Sequence, residues 1–298
     1  MTPHRQKVNA ALLSIGSNTF LVALKTIAGA MIGSVAIVSE AIHSGMDLLA
    51  AAIAFTAVKF SGKPADRGHP FGHGKAENLA GAAEAILIFT AAGWIIYKSI
   101  LKFIHPRPID EPAWGAGIML VSAVINWFVS RRLFIVGKKT DSIALEADAW
   151  HLRMDVWTSA GVMAGLGAIW IGGCFFPSLN LQWVDPAAAL LVAAMILKAA
   201  YDLTMKSIRD LLDAGLAAEE DEKLRALIAA HDPQIRGFHN LRARKSGGRR
   251  FIEFHILVNS EMTVARSHKL TDELTVKIMA IMPDSLVTIH VEPCKTPG

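Results

Sequence analysis

The sequence predicts an all-α transmembrane domain of six helices, followed by a small cytoplasmic domain of mixed α and β structure. Hydrophobic side chains make up 52% of the 298 residues, and the mean hydropathy is +0.38. Both values exceed those of ordinary soluble enzymes. Six apolar stretches are each long enough to cross about 30 Å of hydrocarbon, and the composition becomes polar after Asp210. We therefore expect residues 1–211 to form the transmembrane domain and residues 212–298 the cytoplasmic domain.

The apolar stretches lie near residues 10–31, 36–58, 79–101, 113–135, 143–172 and 185–205. Lysine and arginine gather before the first stretch, between the second and third, and between the fourth and fifth. The connections between the first and second and between the fifth and sixth carry neither residue. By the positive-inside rule, both termini face the cytoplasm. The first stretch is longer than a signal-peptide core, so we expect it to be a retained span.

The tail reads as five short elements. An amphipathic helix in "AAEEDEKLRALIAAH" precedes two strands around a Ser-Gly-Gly turn in "GFHNLRARKSGGRRFIEFHILV". A second helix in "VARSHKLTDELTVKIMAIM" and a final strand in "SLVTIHVEPC" follow. The order α-β-β-α-β predicts a two-layer α+β module. Its core is small, so a partner copy is expected to help stabilise it.

Two apolar spans carry the same pair of ionisable residues at the same spacing. His43 and Asp47 lie in the second span, and His151 and Asp155 in the fifth. A spacing of four places both side chains on one face of a helix. Two imidazole nitrogens and two carboxylate oxygens form a tetrahedral shell that suits Zn²⁺. Metal binding needs neutral imidazoles and ionised carboxylates, so the pattern also predicts that protons compete with the metal.

Other function classes fit the sequence less well. Each His-Asp pair could instead be a hydrogen-bonded clamp between helices, although two matched pairs favour a site. The net charge of +4 is scattered over short loops, which argues against nucleic-acid binding. Neither a phosphate-binding loop nor an HExxH pair occurs, which argues against an ATP-driven pump and an intramembrane metalloenzyme. A membrane-anchored metal sensor would leave the buried pairs without a purpose.

Five stretches carry a family resemblance: "GSVAIVSEAIHSGMDLLA", "RGHPFGHGKAENLAG", "ALEADAWHLRMDVWTS", "RDLLDAGL" and "IHVEPC". On these motifs the chain resembles the cation diffusion facilitator family of divalent-metal/proton antiporters over nearly its whole length. The resemblance implies a homodimer whose ferredoxin-like, metallochaperone-like tails meet in the cytoplasm. It also implies that His43, Asp47, His151 and Asp155 form a transport site that faces the two sides of the membrane alternately.

The expected function is therefore secondary transport, not enzymatic catalysis: export of a divalent metal from the cytoplasm in exchange for protons. Histidine at the first ligand position resembles the zinc-preferring pattern, while Fe²⁺, Cd²⁺, Co²⁺ and Mn²⁺ stay open as alternatives. The turn "RRLFIVGKKTDS" between the fourth and fifth spans holds no histidine-rich insert. In this respect the chain resembles the compact prokaryotic form, which implies a cell inner membrane.

The loop between the second and third spans contains a second candidate site. Asp66, His69 and His73 could gather one carboxylate and two imidazoles on one side of a turn. The alternative is a solvated loop whose glycines and prolines set its shape. By resemblance, the three residues match the family's cytoplasmic loop site, and Lys75 is expected to pair with Asp213 as a hinge between the domains.

The tail contains a third candidate site. By resemblance, its regulatory metal ligands are His239, His255, His268, His290 and Glu292. Strand alternation places His290 and Glu292 on one face of the last strand. Each histidine could instead be an ordinary surface residue at a strand end. We expect metal bound in the tail to tighten the dimer and promote export.

Overall fold

The computed structural model describes residues 2–32, 35–105, 113–175 and 183–294, with side chains outside the description at residues 32, 35–40, 113–116, 162, 165–175 and 185. The chain divides into two compact units, Met1–Ile208 and Arg209–Gly298.

Six long helices form the first unit: α1 Pro3–Ile32, α2 Val35–Ser61, α3 Lys75–Ile104, α4 Ala113–Thr140, α5 Ile143–Phe175 and α6 Val184–Leu211. Over the residues that the structure describes, five of them are long and apolar enough to cross a membrane. The predicted helical transmembrane region is confirmed. Several helices are longer than the apolar stretches predicted from the sequence, because polar residues at their ends are also helical. α1, for example, begins at Pro3, a residue favoured in the first turn of a helix.

Small side chains form much of the interface between the transmembrane helices. α1 packs along α2, and α4 along α5. The core between these pairs contains buried alanines such as Ala11, Ala57, Ala144 and Ala149. In lipid, small residues let helix backbones approach closely and gain packing energy. A second core joins α3, α5 and α6 around residues such as Ile196.

One glycine is required where three helices meet. A Cβ atom added to Gly81 of α3 would lie 2.5 Å from Cγ2 of Ile143 and 2.9 Å from Oγ of Ser207. Those residues belong to α5 and α6. The Ser207 hydroxyl could rotate away, but Cγ2 is attached directly to Cβ of the β-branched Ile143 and has little freedom to move. We infer that α3 can approach α5 and α6 this closely only with glycine at this position.

A buried carboxylate ties four helices together near one end of the first unit. Glu77 of α3 is 1% exposed. It accepts hydrogen bonds from Lys7 of α1 at 2.8 Å and from Ser61 at the end of α2 at 2.6 Å. Ser142, directly before α5, also donates to it. Because the buried Glu77 carboxylate has three hydrogen-bond donors, it holds in place the ends of α1, α2 and α5 that carry them.

The second unit contains α7 Ala218–Ala229, β1 Gly237–Ser246, β2 Arg249–Val258, α8 Val264–Ile281 and β3 Ser285–Pro293. The predicted α-β-β-α-β order is confirmed. β1 pairs with β2 antiparallel, and β2 pairs with β3 parallel, so β2 is central. The turn between β1 and β2 contains Gly247 at a φ of +58°, a conformation that glycine adopts without strain.

Both helices of the second unit contribute to one hydrophobic core. Leu224 of α7 and Leu274 of α8 are fully buried against alternate residues of β2, including Ile252 and Phe254. Because side chains alternate across a strand, the intervening positions of β2 point away from this core. The sheet therefore has one face covered by helices and one face that carries polar side chains.

Candidate metal sites

α2 and α5 present their two His-Asp pairs to the same point between them. Nε2 of His151 lies 3.0 Å from Oδ1 of Asp47. Nε2 of His43 lies 3.7 Å from Oδ1 of Asp155 and 4.0 Å from Oδ1 of Asp47. One ligand atom from each of His43, Asp47 and Asp155 falls within 4.8 Å of the others. All four residues that the sequence nominates therefore come together.

The four side chains differ sharply in exposure. Asp47 and His151 are 5% and 10% exposed, whereas His43 is 56% exposed. His43, Asp47 and Asp155 line a cavity of about 200 Å³. Two carboxylates this close to each other repel, and in a buried site the repulsion is poorly screened by solvent. A divalent cation would neutralise both at once.

Two of the polar residues that line the cavity outside the predicted ligand set form hydrogen bonds between helices. Nδ2 of Asn126 in α4 donates to Oδ2 of Asp155 at 3.3 Å. Nζ of Lys25 in α1 donates to Oγ of Ser44 at 2.8 Å. Both residues are buried. A partner such as Asn126, which bonds to a candidate ligand, orients that ligand without touching the ion.

The sequence contains a pattern that could have predicted that Asn126 faces the interior of the helix bundle. Ser122, Asn126 and Ser130 recur at a spacing of four along α4, and all three are buried. A polar stripe on one face of an apolar span indicates that this face is turned toward other helices or a wet cavity. The stripe does not reveal which residue the asparagine contacts.

The loop residues Asp66, His69 and His73 also come together. Nδ1 of His69 lies 3.4 Å from Oδ1 of Asp66, and Nε2 of His73 lies 3.3 Å from Oδ2. The Asp66 carboxylate accepts backbone hydrogen bonds from His69 at 2.7 Å and Gly68 at 2.9 Å. These bonds, that from His69 above all, hold the pKa of Asp66 below its ordinary value. The carboxylate is therefore ionised, as a metal ligand must be.

The rings of the loop site are held by an aromatic neighbour. Phe60 of α2 packs edge-on against His73 at 4.6 Å between ring centroids. The side chain of His73 is 2% exposed, whereas those of His69 and Asp66 are more than half exposed. One ligand is thus fixed in the protein, and the other two face solvent, from which an ion could enter.

In the second unit, strand pairing brings three histidines into one row. His239 of β1 is the register partner of His255 of β2, which is in turn the partner of His290 of β3. The ring centroids are 5.0 and 4.8 Å apart. The row lies on the polar face of the sheet, because Phe254 and Ile256 on either side of His255 are buried in the core.

Glu292 bridges this row. Its carboxylate lies 2.7 Å from Nδ1 of His255, 3.0 Å from Nε2 of His239 and 3.8 Å from Nε2 of His290. The hydrogen bond with His255, followed by that with His239, lowers the pKa of Glu292. His268 stands apart on α8, 75% exposed and 3.5 Å from Asp272. Four of the five predicted tail ligands therefore form one cluster.

The predicted hinge pair stays a prediction, because its residues lie in different units. Lys75 is the first residue of α3. Asp213 adopts a φ of +56° and accepts a hydrogen bond from Nη1 of Arg244 at 3.0 Å.

Comparison with known proteins covers nearly the whole chain. The family model of the cation efflux transmembrane domain matches residues 11–212, and that of the cytoplasmic domain of cation efflux proteins matches residues 216–294. The uncharacterized transporter sll1263 of Synechocystis is 36% identical over 287 residues, 96% of this chain and 90% of that protein. The cation-efflux pump FieF of Shewanella oneidensis is 30% identical over 288 residues, 95% and 93% of the two chains.

Among solved structures, the metal-bound C-terminal domain of the CzcD transporter from Thermotoga maritima is similar to the tail. It shares 32% identity, covers 25% of this chain and 87% of that one, and superposes with a TM-score of 0.24.

Proposed function

The chain belongs to the cation diffusion facilitator family of multi-pass cation efflux transporters, and from this premise we propose that it exports Zn²⁺ from the cytoplasm in exchange for protons. The observation that carries the proposal is the convergence of His43, Asp47, His151 and Asp155 between α2 and α5. The other parts of the proposal concern the preferred metal, the exchanged proton and the assembly.

The ligand set and its spacing support zinc. Bonds of about 2.0 Å place neighbouring ligand atoms about 3.3 Å apart around a tetrahedral ion. The separations of 3.0, 3.7 and 4.0 Å in the structure lie on both sides of this value. Small side-chain movements would therefore enclose an ion. Two nitrogens and two oxygens suit Zn²⁺, while Fe²⁺, Co²⁺, Cd²⁺ and Mn²⁺ are the competitors to be tested.

Exchange for protons follows from the chemistry of the ligands. Nε2 of His151 and Oδ1 of Asp47 share a hydrogen bond, and its proton must leave this contact, either to solvent or to Nδ1 of the same ring, before both atoms can bind an ion. Any second proton on the pair is released to solvent, because the ligands bind as a neutral imidazole and an ionised carboxylate. Conversely, protons arriving from the other side of the membrane would compete for the same atoms and release the metal. Each alternation of the site between the two sides would then carry metal one way and protons the other.

The proposed oligomeric state is a homodimer that forms through the C-terminal tails. The protein is proposed to act as a homodimer in a bacterial inner membrane, with both termini in the cytoplasm, where the positive-inside rule puts the basic connections. Two further clusters are proposed to bind metal when the cytoplasmic metal concentration is high. One is the loop cluster of Asp66, His69 and His73, and the other is the tail cluster of His239, His255 and Glu292. Metal held on the sheet would then tighten the dimer.

The decisive experiment uses the purified full chain in proteoliposomes that contain a zinc-sensitive and a pH-sensitive dye. An imposed pH gradient should drive zinc movement, accompanied by proton movement in the opposite direction. Asp155→Ala should lose both fluxes, whereas Asp202→Ala, which removes an exposed carboxylate from α6, should keep them. Zinc binding without flux would favour the membrane-anchored sensor, and proton-independent flux would exclude antiport. A competition series over the five metals would then rank them.

A further inference from the structure

A cleft between α4 and α5 is separate from the three candidate metal sites. It has a volume of about 390 Å³. Its lining combines three cationic side chains with three aromatic ones: Arg131, Lys138, Arg153, Phe134, Trp150 and Trp157. We call it the α4–α5 cleft.

The three cations have no acidic partner within the described part of the chain. Neither Arg131, Lys138 nor Arg153 forms an ion pair there, whereas the nearby Lys206 pairs with Glu146 at 2.7 Å. Arg131 and Lys138 are exposed and Arg153 is half-buried, so their charges add to a positive field around one cleft. The cleft therefore favours an anion.

Arg153 is the most constrained of the three. Its guanidinium carbon lies 4.1 Å from the ring centroid of Trp127 and 5.6 Å from that of Phe134. Its Nε is buried and has no hydrogen-bond partner. A guanidinium stacked on a ring still presents N–H donors along its edge, in the planar geometry that matches two oxygens of a phosphate.

The aromatic side chains form a connected wall beside these cations. Trp150 lies edge-on to Phe134 at 5.1 Å and edge-on to Trp157 at 5.7 Å. Tryptophan is enriched where the headgroups meet the acyl chains. The wall therefore suits a molecule with a polar end and an apolar end.

The position of the cleft along the helices fits the cytoplasmic leaflet. Lys138 is two residues before the end of α4, and Arg153 is ten residues into α5, about 15 Å along the helix. The cleft thus runs from the headgroup level toward acyl depth. Trp127 and Ile135 on its flank are 44% and 51% exposed, as expected of side chains that face lipid tails.

We propose that the α4–α5 cleft binds the phosphate of an anionic phospholipid from the cytoplasmic leaflet. The edge of the Arg153 guanidinium and the Arg131 side chain, which lie at similar distances from the turn between α4 and α5, hold the phosphate. Lys138 lies nearer the turn and adds positive charge around the headgroup, and the acyl chains run along the exposed flank of α4. A second copy of the chain is a poorer occupant, because a two-fold interface here would bring the same three cations of each copy face to face. Free phosphate would leave the aromatic wall and the apolar flank without a role.

The test is native mass spectrometry of the full chain in detergent, titrated with phosphatidylglycerol or phosphatidylcholine. The unmodified protein should bind phosphatidylglycerol in preference. Arg131→Gln/Lys138→Gln should weaken this binding roughly 30-fold, about fivefold for each cation removed. The matched control, Arg132→Gln/Lys139→Gln, removes two exposed cations with the same spacing that do not line the cleft, and should stay within about twofold of the unmodified protein.

Several outcomes would overturn the proposal. Equal binding of phosphatidylglycerol and phosphatidylcholine by the unmodified protein would overturn it, and this result does not depend on the folding of any variant. Equal losses in the two double variants would indicate a general charge effect. Displacement of the bound lipid by inorganic phosphate at millimolar concentration would make free phosphate the ligand. A shift between dimer and monomer, with lipid binding unchanged, would make this face an interface between copies.

Discussion

Nε2 of His151 lies 3.0 Å from Oδ1 of Asp47, so one ligand pair links α5 directly to α2. Each of these residues belongs to a different His-x-x-x-Asp motif. A metal ion would replace this contact with two bonds to itself, which couples metal binding to the relative position of the two helices. The proposed alternating-access transport requires such a coupling.

Removing either transport-site carboxylate should abolish zinc transport. Asp47→Ala deletes one of the four proposed ligands and half of the negative charge that balances the ion. Loss of an outer partner commonly costs 10- to 100-fold in metal affinity, and we expect loss of a ligand to exceed about 100-fold. Stopped-flow zinc flux in proteoliposomes measures the effect, and size-exclusion chromatography checks the fold. Transport within a few-fold of the unmodified protein would exclude Asp47 as a ligand.

Asn126 should act as a positioning residue for Asp155. Its side-chain amide donates to Oδ2 of Asp155 at 3.3 Å. Asn126→Ala frees that carboxylate to rotate, so zinc affinity should fall about tenfold or more while the proton-coupled character of transport persists. Ser122→Ala is the control, because Ser122 lines the same cavity and donates to the backbone of Ile118, not to a ligand. Equal affinities of the two variants would contradict the positioning role.

His43→Asp should change which metals are transported. The substitution replaces an imidazole nitrogen with a carboxylate oxygen, so the shell becomes richer in oxygen and better suited to Mn²⁺ and Cd²⁺. His43 is also the most exposed of the four ligands, so this position should tolerate the exchange without loss of folding. A competition series of transport rates over Zn²⁺, Cd²⁺ and Mn²⁺ checks the prediction. An unchanged ranking would mean that this position does not set the preference.

Acid should destabilise the second unit partly through Glu292. The hydrogen bonds from His255 and His239 lower the pKa of Glu292 in the folded domain. A lowered folded pKa gives stabilisation that is complete above the unfolded value, about 4.3, and is lost as the pH falls through the folded value. Glu292→Gln should therefore reduce the difference in denaturant midpoint between pH 7 and pH 3 for residues 212–298.

Glu273→Gln is the control for this pH dependence, because Glu273 is an exposed residue of α8 outside the cluster. Its variant should keep the full difference between the two pH values. An equal reduction in both variants would contradict a specific role for Glu292.

Helical spacing made the pairing of residues within the candidate transport site predictable, because His43 and Asp47 share a helix face whatever surrounds them. The contact between Asn126 and Asp155 could not be predicted, because it depends on the rotation of α4 against α5. In the tail, alternation places His290 and Glu292 on one face of β3, but the row of histidines depends on strand register. That register includes an irregularity of β1 between His239 and Arg242 and a parallel pairing of β2 with β3. The irregularity has one weak local signal, Asn240 at a φ of +53°, a conformation that asparagine adopts more readily than most residues. The parallel pairing has no local signal in the sequence.

Two histidines of the tail, His255 and His268, should differ in their effect on zinc binding. Residues 212–298 should bind zinc through His239, His255 and Glu292, whose ligand atoms lie within 4.8 Å of one another. His255→Ala removes the central ligand, so zinc affinity measured by calorimetry should fall at least about tenfold. His268→Ala should leave it unchanged, because the His268 side chain is 75% exposed and lies 3.5 Å from Asp272 on α8, outside the cluster. An equal loss in both variants would mean that His268 joins a site completed by a second copy, and the dimerisation of each variant with and without zinc would then reveal that dependence.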